Sequence, residues 1–367
     1  MGQRSGYAKA TGSGTLAMAG DNDSKYRPAT QLVTGGRSGD FARDVVNPPV
    51  WRASTHLYDN CAELRARKAA NRDGQFFYGR RGAPTQWALA EALTALEPGA
   101  AGTVLYPSGL AALVGALLTV LRSGDVLLVA DNAYDPTRNT ATGLLAGFGI
   151  EHRFFDPLDL DAYEAAFCNR TRAVMLEVPG SLTMEVCDIP ALARIARAKG
   201  AVSLVDNTWA TSLGFPALEH GCDIAITALT KHVGGHSDVM MGSASAGDRW
   251  YRRLRLGAQQ LGHVVSPDDA ALVLRGLRTM GVLKGGDDAA RCRLVDALAL
   301  FGIGYSWGGF ESLALPFDVE PVRDTMPWPK AGWGVEDRHA IRLSIGLEDK
   351  DDLIADLDRG FAALTEG

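Results

Sequence analysis

Residues 224–238 read IAITALTKHVGGHSD. Ile224 to Thr227 is an apolar run of strand length that leads through Ala228, Leu229 and Thr230 to Lys231, and the pair Gly234-Gly235 follows. A strand without polar alternation is covered on both faces, as in a parallel sheet. Working outward, the signature recurs. Thr103–Tyr106, Val126–Ala130, Ala173–Val178 and Ala201–Val205 are short apolar runs, separated by helix patterns at Thr85–Glu97, Gly109–Leu121 and Asp188–Lys199. In the last of these Asp188 stands at the N-cap, Pro190 in the first turn, Arg197 and Lys199 in the last turn, and Gly200 just beyond. Val239–Ala244 reads as one more strand, Ser266–Gly276 as a capped helix, Leu313–Pro316 as a strand and Asp349–Leu364 as an acidic terminal helix. The expected class is α/β, a mostly parallel central sheet with helices on both faces followed by a smaller α+β domain. Ligands of such sheets bind beyond the carboxyl ends of the strands. That rule singles out Ser108, Asp131, Pro179, Asp206 and Lys231.

The length of 367 residues suggests two domains at about 150 residues each. Apolar residues at 46% and charged residues at 22% are ordinary for a globular chain and exclude a mainly disordered or fibrous one. A net charge of −6 argues against nucleic acid and membrane surfaces as partners. Pro98–Leu121 carries no charge over the length of a membrane span, but Pro107-Ser108-Gly109 breaks it into a strand, a turn and a buried helix. Cys61, Cys168, Cys187, Cys222 and Cys292 are odd in number and form no C-x-x-C pair. Neither a disulfide framework nor a metal site is expected, and a reducing, cytoplasmic compartment is. No secretory signal stands at the start. Residues 1–27 are rich in small residues and read as a disordered extension, with Met1 and Met18 as candidate starts.

The chemistry begins with Lys231. A lysine at a strand end among apolar residues loses solvation, which favours the neutral amine and Schiff-base formation. Alone, such a lysine is more commonly a surface cation at a loop start. Asp206, in Val205-Asp206-Asn207-Thr208-Trp209, ends the preceding strand and could keep a pyridine nitrogen protonated, or simply cap a loop. Tyr106-Pro107-Ser108-Gly109-Leu110 offers helix N-terminal amides to a phosphate, as any capped helix does. Tyr78-Gly79-Arg80-Arg81-Gly82 offers a hydroxyl and guanidinium groups to the same anion, or is an exposed basic turn. Tyr134, past another strand end, could stack on an aromatic ring or only pack. Together these are the parts of a pyridoxal 5'-phosphate site.

The chain resembles the pyridoxal-phosphate enzymes of cysteine and methionine metabolism. The resemblance spans roughly residues 30–364 and rests on the stretches 77–82, 106–110, 179–183, 206–210, 230–238, 304–312 and 341–348. It implies that Lys231 carries the cofactor linkage, Asp206 pairs with the ring nitrogen and Tyr134 stacks on the ring. Ser108, Gly109, Leu110 and Thr230 would hold the phosphate. Tyr78 and Arg80 would reach it from a neighbouring subunit, so the resemblance implies a dimer at least and a homotetramer in the usual case. Ser306 and Trp307 would line the substrate side, and Arg342 would clamp the α-carboxylate of a small sulfur amino acid. Ser306-Trp307-Gly308, with Ala228 where γ-acting members carry a serine, is similar to the β-lyase branch. The implied activity is β-elimination of cystathionine or a cysteine S-conjugate, in methionine biosynthesis and transsulfuration. A γ-lyase or γ-synthase of the same family is the alternative.

The implied layout is an arm over 28–84, a large cofactor domain over 85–265 and a small domain over 266–367. Three departures stand out. His232 replaces the usual tyrosine after the lysine, and Val178 a common serine. After Gly281 the chain is roughly 50 to 60 residues shorter than the family pattern, so the small domain would lack much of its core. A cofactor-binding or interaction protein with impaired turnover is the reading from another class.

Overall fold

A computed structural model describes residues 26–37, 45–280, 298–318 and 339–365. The expected extension over 1–27 therefore lies almost wholly outside the described residues, as do Gly281 and the shortened junction.

The central sheet has seven strands, β1 (Gly102–Tyr106), β2 (Val126–Ala130), β3 (Glu151–Phe155), β4 (Thr171–Glu177), β5 (Val202–Asp206), β6 (Ile224–Ala228) and β7 (Gly242–Ala246). Their order is β1-β7-β6-β5-β4-β2-β3. Strands β3, β2, β4, β5 and β6 are parallel neighbours, whereas β7 runs antiparallel to both β6 and β1. The sheet is thus mostly parallel, as expected. The expected strand at Val239–Ala244 begins later, at Gly242, because the backbone of Met241 is bonded to Thr230 and not to a strand partner.

The apolar runs alternate between two buried layers. Leu127, Val129, Met175, Leu204 and Ile226 face one side, under α4 (Gly109–Val120) and α9 (Asp248–Leu261). Val126, Leu128, Val174, Leu176 and Val205 face the other, under α7 (Ile189–Ala198). Asp188 caps α7, its Oδ1 accepting the Ala191 N–H at 2.9 Å. The uncharged stretch becomes β1, a turn and buried α4, and among the described residues no helix is long and apolar enough to cross a membrane. Cys61, Cys168, Cys187 and Cys222 are free thiols, and Cys292 lies outside the described residues.

A third cluster joins α3 (Pro84–Leu96) to α10 (Pro267–Leu277) and to Leu229 and Val233 of the Lys231 loop. The contact is backbone on backbone, since a Cβ at Gly276 would stand 1.9 Å from the Gly234 carbonyl oxygen. The small-domain start expected at residue 266 thus falls on a helix that shares core with the large sheet.

The second sheet is small. Its strands β8 (Gly302–Ile303), β9 (Leu313–Asp318) and β10 (His339–Ser344) lie in the order β10-β9-β8, with α11 (Lys350–Thr365) beside them. Phe301, Ala314, Ile341 and Leu353 form its buried centre. Asp356 on α11 accepts the N–H groups of Ala299 and Leu300 at 2.8 Å each. That carboxylate ties the start of this unit to its last helix.

Candidate active site

The carboxyl ends of β4, β5 and β6 lie side by side, so residues far apart in sequence meet there. Asp206 is the last residue of β5, and Glu177, the last of β4, is its register partner. Lys231 stands just beyond β6. Its Nζ donates to Ser306 Oγ at 3.2 Å and lies 5.6 Å from the Trp307 ring centroid. Burial lowers the lysine pKa, the Arg342 guanidinium lowers it further, and Asp206 opposes both. The neutral amine needed for carbonyl chemistry is favoured accordingly.

Asp206 is held on one oxygen. Thr208 donates to Oδ1 from its backbone N–H at 3.0 Å and from its hydroxyl. The same hydroxyl accepts the Ala228 N–H at 2.8 Å, which ties the ends of β5 and β6 together. No bond is described at Oδ2. Burial raises the Asp206 pKa, and the Thr208 bonds and Lys231 pull it back. A cationic ring nitrogen at Oδ2 is the partner such a carboxylate lacks.

Tyr134 precedes α5 (Asp135–Asn139) and is half-exposed. Burial raises its phenol pKa. The carboxylates of Glu177 and Asp206 add to that rise, and the Arg342 guanidinium opposes it. Asp131, the other acid marked at a strand end, is not available. It is wholly buried against Arg138 in an ion pair under the Phe154 ring.

Ser108 caps α4, its Oγ accepting the Ala111 N–H at 3.1 Å. The Gly109 and Leu110 amides are first-turn donors, suited to a phosphate. A Cβ on Gly109 would stand 2.6 Å from the Ala228 Cβ, so only glycine lets the helix start so close to the end of β6. The Thr230 hydroxyl, also expected at the phosphate, donates to the Met241 carbonyl at 3.2 Å and accepts the Met241 N–H at 3.1 Å.

The small sheet supplies the opposite wall. Arg342 on β10 donates from Nη2 to the carbonyls of Tyr305 at 2.7 Å and Ser306 at 2.8 Å. Its Nε is buried without a bond, and burial lowers its pKa to about 10. Nη2, common to both two-nitrogen edges of the guanidinium, is therefore held by backbone, and Nε is a donor left for a carboxylate. Trp307 packs edge-on to His232 with ring centroids 5.0 Å apart, so the departure at 232 fills space beside the substrate wall.

Tyr78 and Arg80 are not part of this cluster. Both are exposed, at a 3₁₀ turn Gly79–Arg81, and Arg80 donates to the Gln259 carbonyl at 2.7 Å. Among the described residues nothing joins either to Lys231, Asp206 or Tyr134. Thr208 and Glu177 were not singled out from sequence. Each stands next to a marked strand end, and that adjacency was the available signal.

The donor set fits pyridoxal phosphate, with an amine of depressed pKa, a carboxylate with an open oxygen, a helix N-terminus and an aromatic ring at one sheet end. The comparisons agree. The model of the family described as Cys/Met metabolism PLP-dependent enzyme matches residues 29–284 and 282–362. The chain is similar to the cystathionine beta-lyase MetC of Escherichia coli, 35% identical over 394 positions, covering 91% of this chain and 98% of that protein. It is equally similar, at 35% over 394 positions and with the same coverage, to the cystathionine beta-lyase of Salmonella typhimurium. A crystal structure of cystathionine gamma-lyase from Lactobacillus plantarum, complexed with L-serine, superposes with a TM-score of 0.79 at 25% identity and covers 92% of this chain and 99% of that one. Since 91% of this chain fills only part of the 394 positions shared with the Escherichia coli protein, about 60 of them lie opposite no residue here. The family match is split in two at 282–284, the junction marked in the sequence.

Proposed function

The chain belongs to the pyridoxal-phosphate-dependent enzymes of cysteine and methionine metabolism, and from that premise we propose that it is a carbon–sulfur lyase acting on cystathionine or another cysteine S-conjugate by β-elimination. The products are homocysteine (or the corresponding thiol), pyruvate and ammonia. The observation that carries the reading is Lys231, with its depressed pKa, set between Asp206 on one side and Ser306, Trp307 and Arg342 on the other. Bound pyridoxal phosphate supplies a carbonyl for the amine and a ring that takes up electron density from Cα.

The chain's own residues meet the other demands. Asp206 would keep the ring nitrogen of the bound cofactor protonated, Tyr134 would cover the ring, and the Gly109 and Leu110 amides would hold the phosphate. The unpartnered Nε of Arg342 would bind the substrate α-carboxylate and turn Cα–H toward Lys231. With pyridoxal phosphate bound, Lys231 Nζ would take the Cα proton as general base. Ser306 Oγ keeps that nitrogen pointed at the substrate, and Trp307 excludes water.

The Tyr78–Arg80 turn, exposed on the arm, completes the phosphate site of a neighbouring subunit in this reading. The working unit is at least a dimer and, by extension, a homotetramer in the cytoplasm. The arm over 28–84, the large domain over 85–265 and the small domain over 266–367 are its parts. Cystathionine incubated with the loaded protein should yield pyruvate in excess of 2-oxobutyrate, and equal or greater 2-oxobutyrate would move the assignment to a γ-lyase. The shortfall of about 60 positions favours one second reading, a cofactor-binding protein without turnover. Cofactor absorbance with no pyruvate would select it.

A further inference from the structure

Glu177 closes β4 beside Asp206, its register partner on β5. Two carboxyl groups at adjacent strand ends repel one another, and burial adds to the cost. The Glu177 pKa stands well above the usual carboxylate range, through burial first and Asp206 second. Such a residue has little to offer stability, so its contacts matter. Its Oε2 accepts the Tyr134 backbone N–H at 2.7 Å. Strands β4 and β2 are neighbours, so this bond bridges from the end of one to the turn that follows the other. That turn opens α5 and carries Tyr134, whose phenol feels the charges of Asp206 and Arg342.

We propose that Glu177 is a positioning residue for the reaction, in which Oε2 holds the Tyr134 amide and so sets the Tyr134 ring over the cofactor. The inference rests on the reading of Tyr134 as the stacking residue. It requires an acceptor oxygen at residue 177 and requires no charge there.

Two variants separate these properties. Glu177→Gln keeps an acceptor oxygen, and Glu177→Met keeps the bulk without one. In holoenzyme, Glu177→Gln should hold the pyridoxal phosphate Kd within about twofold of wild type and preserve the visible circular dichroism of the bound cofactor. Glu177→Met should raise that Kd about tenfold and weaken the visible signal while leaving the far-ultraviolet spectrum unchanged. In a Tyr134→Ala background Glu177→Met should add nothing, because both act through one ring. The proposal is overturned by a Glu177→Met Kd equal to wild type, by losses that add in the double variant, or by Glu177→Gln as damaging as Glu177→Met. Should Glu177→Met not fold, Glu177→Gln decides alone, since loss of cofactor there sinks the idea and retention supports it. Wild-type protein that neither binds the cofactor nor makes pyruvate defeats the proposed function. A wild type that does both, matched by Glu177→Met, defeats only the role of Glu177.

Discussion

The two walls of the site are built to different standards. On one side, Asp206, Glu177 and Lys231 stand at the ends of strands whose side chains are buried in two layers, with helices over both. On the other, Ser306, Trp307 and Arg342 ride on a sheet of three strands closed by one helix, around Phe301, Ala314, Ile341 and Leu353. In the proposed function the first wall holds the cofactor and the second orients the substrate. The shortened junction falls at the start of the second, so binding of pyridoxal phosphate and turnover should be separable in this chain.

The largest effect should come from the residue both walls share. Lys231→Ala should lower pyruvate formation at least about 10³-fold. Borohydride reduction should then add no cofactor mass to that variant, while adding it to wild type. Mass gained by Lys231→Ala at the same site would break the assignment.

Next is a test of the division itself. Arg342→Leu removes the charged contact with the carboxylate and should cut kcat/KM by about 10²- to 10³-fold, a loss of about 3 to 4 kcal/mol. Its pyridoxal phosphate Kd should stay at the wild-type value. A matching loss of cofactor would mean that the two walls work as one.

Core truncations sharpen the same comparison. Leu128→Ala, between the large sheet and α7, should lower global stability by about 3 kcal/mol in urea unfolding. Ile341→Ala lies in the smaller core and should raise KM while leaving the cofactor Kd unchanged.

The smallest effect is one of pH. The fold lowers the Lys231 pKa, so the neutral amine is the form the native state favours. For such a group the stabilising contribution is complete above the unfolded value, about 10.4, and is lost as pH falls through the folded one. Lys231→Met should therefore stabilise the cofactor-free protein by about 1 kcal/mol at neutral pH. The gain should fade as pH rises toward the unfolded lysine value. A gain independent of pH would show that packing, and not charge, is responsible.

How far the sequence discloses this arrangement follows from burial. Strands β2, β4, β5 and β6 are apolar on both faces and read directly, as does α7 with Asp188 and Gly200 at its ends. Strand β3, Glu151–Phe155, lies at the sheet edge with mixed polarity and gives no such signal. Strand β10 hides for a related reason, because His339 and Arg342 interrupt it. Lys231 and Asp206 are legible as isolated polar residues ending apolar runs. Glu177 ends a run too, but the Val178-Pro179 that follows blurs the boundary, and its bond to Tyr134 crosses between strands. Register alone reveals such a contact. The shortfall after Gly281 was visible only against the family pattern, since composition does not register a missing segment.

The contact of Gly276 with the Gly234 carbonyl acts as a mechanical stop. Helix α10 is fastened to the Lys231 loop before the chain reaches the place where its length departs from that of its relatives. Changes in length downstream therefore reach Lys231 through Ser306, Trp307 and Arg342 on the opposite wall, and not through the α10 side of its loop. A single methyl group at residue 276 would drive α10 and the Lys231 loop apart at the Gly234 carbonyl.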